Sequence, residues 1–127
     1  MIEQVISFTR EPIAAPALRL PSREIGACAE FWGIVRATEG ATELAGLHYE
    51  AYEKMAARQL ARIFLELGSE HDCAAVVFVH RLGWVPVGEA SLFVRVLAAH
   101  RGPALCCIAA AIDRLKADVP IWKRLSS

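Results

Sequence analysis

Polar and apolar residues change rhythm several times along this chain, and each rhythm predicts an element. Val5 to Phe8 is a short apolar stretch that reads as an edge strand. Glu11 to Pro21 contains Pro12, Pro16 and Pro21 and reads as a loop, followed by one helical turn at Ser22-Arg23-Glu24-Ile25. From Gly26 to Arg36 the pattern alternates, with Ala27, Ala29, Phe31, Gly33 and Val35 on one face. That predicts a strand ending at Arg36, with Gly33 marking a bulge or a close backbone approach. Thr38-Glu39-Gly40 is a turn, and Leu44 to Glu50 is the expected hairpin partner of that strand. Ala51 to Leu67 has helical spacing: Tyr52, Ala56, Leu60, Ile63 and Leu67 share a face, Lys54 and Arg58 point away, and Gly68 suits the C-terminal cap. Cys73 to Val79 is continuously apolar, which predicts a strand covered on both faces. Trp84 to Gly88 reads as a loop or short strand. Glu89 to Ala98 alternates again.

The last periodic segment, Pro103 to Val119, reads as an amphipathic helix that Pro120 ends, with Ile121-Trp122-Lys123 as an extended tail. At about 100° per residue, Leu105, Ile108, Ala109, Ile112 and Leu115 fall on one stripe, and Lys116 falls there too. A lysine held against a core loses hydration, and full burial lowers its pKa from roughly 10.4 by up to about 3–5 units. Such an amine can act as a base or nucleophile near neutral pH. The plainer reading is a lysine whose stem lies on the stripe and whose ammonium reaches water. Arg114 falls on the opposite side, as ordinary surface. The order of elements predicts an α+β fold, a mostly antiparallel sheet with packed helices.

Composition narrows the classes. A chain of 127 residues is expected to be one domain, residues 1–127, and 55% hydrophobic with 22% charged residues argues against disorder. Fourteen basic and fourteen acidic residues cancel, which removes the electrostatic case for a nucleic-acid or membrane-surface protein. No apolar run reaches the roughly 18 residues of a membrane span, and MIEQVISFTREP lacks a signal-peptide core, so the expected location is the cytoplasm. Cys28, Cys73, Cys106 and Cys107 fit neither zinc nor CxxC spacing and read as reduced thiols in the core. No Walker loop, GxGxxG, GxSxG or HExxH occurs, and neither metal nor cofactor is expected.

Against that neutral background the cations stand out. His100-Arg101 opens the last helix, where free N–H groups favour an anion; a structural salt bridge is the alternative. Arg36 ends a strand, and Lys123 follows Pro-Ile-Trp; both also read as plain surface charges. His80-Arg81 repeats the dipeptide at another strand end and, preceding Leu82-Gly83 and not a helix, reads as structural or interface. From the residues alone, an enzyme using a lysine base on an anionic, phosphorylated metabolite is the reading.

Five segments occur in order: GACAEFWGIVR (26–36), LHYEAYEKMAARQL (47–60), VHRLGWVPVGEASLFVRV (79–96), AAHRGPA (98–104) and DRLKADVPIWKR (113–124). Together they resemble the large, catalytic subunit of molybdopterin synthase over about residues 24 to 124. The resemblance implies an α/β-hammerhead fold and a homodimer within a heterotetramer. Each large subunit would bind a small ubiquitin-like sulfur carrier, whose C-terminal Gly-Gly thiocarboxylate passes sulfur to cyclic pyranopterin monophosphate. The product is the dithiolene of molybdopterin. The resemblance implies Lys116 and Lys123 as catalytic residues and Arg36, His100, Arg101 and Arg124 as substrate-binding residues. The sulfur arrives on the partner, so no catalytic cysteine and no cofactor are implied. Three departures stand against the family pattern: the chain stops at Ser127, Leu125 replaces a common acidic residue, and Leu105 replaces a frequent aromatic. The first of these motivates a runner-up reading, a shortened non-catalytic relative that only docks a carrier or dimerises.

Overall fold

The continuously apolar segment after residue 72 takes the position its pattern demands, an inner strand covered on both faces. In the computed structural model, which describes residues 1–126, the strands are β1 (Glu3–Thr9), β2 (Ala27–Ile34), β3 (Thr38–Glu39), β4 (Thr42–Glu43), β5 (Gly46–Ala51), β6 (Cys73–Arg81), β7 (Gly83–Pro86), β8 (Ala90–Ala98) and β9 (Ile121–Ser126). The helices are α1 (Glu53–His71) and α2 (Arg101–Asp118). The main sheet runs β1-β6-β8-β2, with β1 parallel to β6 and the other pairs antiparallel. A second antiparallel sheet runs β7-β5-β9, and β3-β4 is a separate short hairpin. The expected α+β class with a mostly antiparallel sheet is what the chain forms.

Register puts Ile6, Phe78, Val94 and Phe31 in one cross-strand row. Both helices bury their faces on that side: Ala56, Leu60, Ile63, Phe64 and Leu67 from α1, and Ala104, Cys107, Ile108, Ala111 and Leu115 from α2. On the other side the Arg95 guanidinium donates to the Pro16 carbonyl at 2.9 Å and to Glu30 at 2.7 Å, so the proline-rich loop crosses that face.

Six expectations are corrected. The partner of β2 is β8, while Leu44 to Glu50 lies in the second sheet as β5. Alternation reports which face a residue occupies and is silent on which strand lies beside it. Gly68 is not the cap of α1; it sits inside the helix against Ile2, where a side chain would collide, and Asp72 closes the helix at φ 55°. Tyr52 is exposed at the N-cap position instead of sharing the apolar face. The buried stripe of α2 is rotated by about one position. Leu105 is 58% exposed, whereas the small residues Ala104, Cys107 and Ala111 face inward and let the helix approach its neighbours closely. Lys116 therefore lies beside the buried stripe, not on it, and is exposed. Ser22 to Glu24 is a bend and turn, not helical, and the expected tail is a strand, β9.

Candidate anion-binding site

Three elements end around one cavity of about 640 Å³. The first is β2. Its register shifts between Gly33 and Ile34, and Val35 then donates to the Glu89 carbonyl at 3.0 Å, which swings Arg36 to the cavity mouth. The second is the last turn of α2, which brings Lys116 to the same mouth. A cation is favoured there by the helix dipole. The third is β9, which pairs Lys123 with Tyr49 of β5, so both side chains stand on the cavity side of the second sheet. Trp122 packs edge-on against Tyr52, ring centroids 5.1 Å apart, and anchors this strand.

Leu47, Tyr49, His80, Leu92 and Phe31 line the interior. Arg36, Lys116 and Lys123 are exposed, whereas His80 is only 4% exposed, so cationic character sits at the mouth and the interior is aromatic and apolar. Glu39 of the β3-β4 hairpin is the one carboxylate among the lining residues. It accepts a 2.9 Å hydrogen bond from the Lys123 ammonium. That bond and the lysine's charge, with Arg36 behind, hold the Glu39 carboxyl below the usual carboxylate range. Lys116 has no ion-pair partner among the described residues. A larger groove of about 830 Å³ near Ile2, Gly68 and Cys73 is lined by no lysine, arginine or histidine, so an anion is expected in the first cavity.

The six implied residues separate into two groups and an outlier. Arg36, Lys116 and Lys123 converge. His100 and Arg101 do not join them within the chain. They are exposed at the other end of α2, about 24 Å from Lys116 along the helix at 1.5 Å per residue. Arg124 is the outlier: strand alternation turns it to the opposite face from Lys123, where it pairs with Glu50 at 3.0 Å. Cysteine burial divides as well, with Cys73 and Cys107 in the core and Cys28 and Cys106 exposed.

Glu39 and Tyr49 were not candidates from the sequence, and His80 read there only as structural or interface. Reading residues 121–126 as a strand would have put Tyr49 and Lys123 on one face. Arg81 is structural as expected, 7% exposed and bound to Glu89 at 2.6 Å. His80 is buried with its Nδ1 2.8 Å from the Arg81 carbonyl. Burial pushes its pKa down to about 4, outweighing that bond. In the unfolded chain the ordinary value is about 6.5, so unfolding takes up a proton between these values. The stabilisation is thus complete above pH 6.5 and is lost as pH falls toward 4, a loss of about 3 kcal/mol. Denaturant unfolding followed from pH 7 to 4 should show this fall, and His80→Gln should flatten it.

No helix among the described residues is long and apolar enough to cross a membrane, and no three His, Cys, Asp or Glu side chains cluster as metal ligands would. The fold is mixed α+β, with a cavity whose mouth carries Arg36, Lys116 and Lys123. The chain belongs to the MoaE protein family, whose family model matches residues 8–118. It is 44% identical over 99 residues to the molybdopterin synthase catalytic subunit of Oryza sativa subsp. indica, an alignment covering 78% of this chain and 51% of the relative. The chain thus spans about half the length of that curated relative. The crystal structure of molybdopterin synthase from Staphylococcus aureus superimposes with a TM-score of 0.83 at 32% identity, over 98% of this chain and 89% of that one. A complex of subunits 1 and 2 of molybdopterin-converting factor from Helicobacter pylori 26695 shares the fold, with a TM-score of 0.68 at 21% identity over 98% and 83% of the two chains.

Proposed function

We propose that this chain is the catalytic subunit of a molybdopterin synthase. It would pass sulfur from the C-terminal thiocarboxylate of a small ubiquitin-like carrier to cyclic pyranopterin monophosphate. The observation that carries this reading is the convergence of Arg36, Lys116 and Lys123 on one aromatic-lined cavity, in a chain of the MoaE family. The carrier's Gly-Gly tail would enter at this mouth. Its docking covers the lysines, excludes water and strengthens every charge interaction inside. Arg36 binds the substrate phosphate by charge-assisted hydrogen bonds. Lys116, with no carboxylate holding it, supplies and removes protons as sulfur replaces oxygen. Lys123 exchanges Glu39 for the thiocarboxylate or the developing oxyanion. An ion pair this exposed is weak, so the exchange costs little.

His100 and Arg101 enter the reading through a second copy. α2 begins with a histidine and an arginine and has no acid in its first turn, although cations there oppose the helix dipole. Helix stability does not account for them; binding an anion does. Strand β2 is an edge of the main sheet, with no strand on its outer side among the described residues. Its C-terminal end leads to Arg36. Its N-terminal end lies beside the start of α2, fixed by Gly26 donating to the Ala98 carbonyl at 3.0 Å, where a side chain on Gly26 would overlap the Ala99 oxygen. Antiparallel pairing of β2 with β2 of a second copy is self-complementary about a two-fold axis. It brings one copy's His100-Arg101 to the other copy's Arg36, Lys116 and Lys123. Exposed Trp32 and Ile34 on β2 supply apolar area at that seam.

The direct test is reconstitution of the protein with a thiocarboxylated carrier and cyclic pyranopterin monophosphate. Dithiolene product is expected. Carrier binding without product would replace this reading with that of a docking protein.

A further inference from the structure

His80 is the one buried titratable group in the cavity, and nothing in the proposed sulfur transfer uses it. Its ring chemistry is fixed by its neighbours. A backbone carbonyl only accepts hydrogen bonds, so the Nδ1 that lies 2.8 Å from the Arg81 oxygen carries the proton. In the neutral ring Nε2 is then a lone-pair acceptor. Burial disfavours the imidazolium, so the ring stays neutral at physiological pH. Tyr49 stands edge-on to the ring at 5.0 Å and Phe78 lies tilted at 6.3 Å, which hold its orientation. Among the described residues no protein donor meets Nε2, and His80 lines the cavity.

The cavity thus has two chemistries at two depths. Donors and positive charge ring the exposed mouth; the interior offers aromatic and aliphatic walls and an acceptor on a 96%-buried residue, the complement of its 4% exposure. A ligand that satisfies both has an anionic group at one end and a flat ring with an N–H edge at the other. We infer that His80 Nε2 accepts a hydrogen bond from a ring N–H of a pterin-class substrate and so selects the heterocycle, while the cations at the mouth hold its phosphate. This inference rests on the proposed function and adds the group that reads the ring. His80 is a specificity-determining residue here, not an acid or base.

The test uses neopterin phosphate as the probe and inorganic phosphate as the control. His80→Phe keeps a buried aromatic ring and removes the acceptor. It should weaken neopterin phosphate binding by about three- to tenfold, the loss of one hydrogen bond, and leave inorganic phosphate binding unchanged. His80→Gln, which can still offer an acceptor, should recover part of the loss. In wild-type protein labelled with ¹⁵N-histidine, the His80 Nε2 resonance should move upfield when neopterin phosphate is added and stay in place with inorganic phosphate. This readout does not depend on a variant folding. Equal neopterin phosphate affinity in wild type and His80→Phe, or an unmoved Nε2 resonance, overturns the inference. If wild type ignores neopterin phosphate yet forms dithiolene in the complete assay, the His80 inference fails alone. If it binds the probe through His80 yet forms no product, the proposed function fails alone.

Discussion

Lys116→Ala should lower dithiolene formation by about 10²- to 10⁴-fold, the usual range for removing a positioned proton donor or acceptor. The substituted side chain is exposed and makes no ion pair among the described residues, so unfolding stability should stay within about 0.5 kcal/mol of wild type. Turnover at the wild-type rate in a correctly folded Lys116→Ala protein would remove Lys116 from the mechanism. The contrast with Lys123 is informative. Lys123 is tied to Glu39 at 2.9 Å in the resting chain, whereas Lys116 is already available to a ligand.

The sequence made the helices and inner strands legible because their patterns have one solution. Period 3.6 from Ala56 to Leu67 and the apolar segment from Cys73 to Val79 each admit a single burial arrangement, and α1 and β6 form there. The β2 partner was not legible. Both β5 and β8 carry a compatible alternation, and the choice between them is made by the three-dimensional core. The stripe on α2 was misjudged by about one position because most of its faces are apolar. Leu105 outweighs Ala104 in hydrophobicity, yet the smaller residue packs better against β8 and α1.

At the site, chain position and resemblance together pointed to Arg36, Lys116 and Lys123, which do converge. The physical reason first attached to Lys116, burial on an apolar face, is not how it gets there. It reaches the cavity because the last turn of α2 ends beside β2 and β9. The resemblance implied Arg124 as a substrate-binding residue, but it neighbours Lys123 in a strand, and neighbouring strand residues point to opposite faces. His80 and Tyr49 were invisible as site residues because they come from strands of different sheets that meet only in the fold. His100 and Arg101 pose the converse case. Their distance from Lys116 within the chain is why the proposed site draws them from a second copy.

Subunit complementation tests that arrangement, and with it the central claim of a shared sulfur-transfer site. Lys116→Ala and Arg101→Ala should each be nearly inactive alone. In a randomised 1:1 mixture half of the dimers pair one of each. Every mixed dimer then holds one site with Lys116 from one copy and Arg101 from the other, both intact. The mixture should recover about one quarter of wild-type dithiolene formation. A site built within one chain leaves every site in the mixture damaged, so a mixture as inactive as its components would contradict the account.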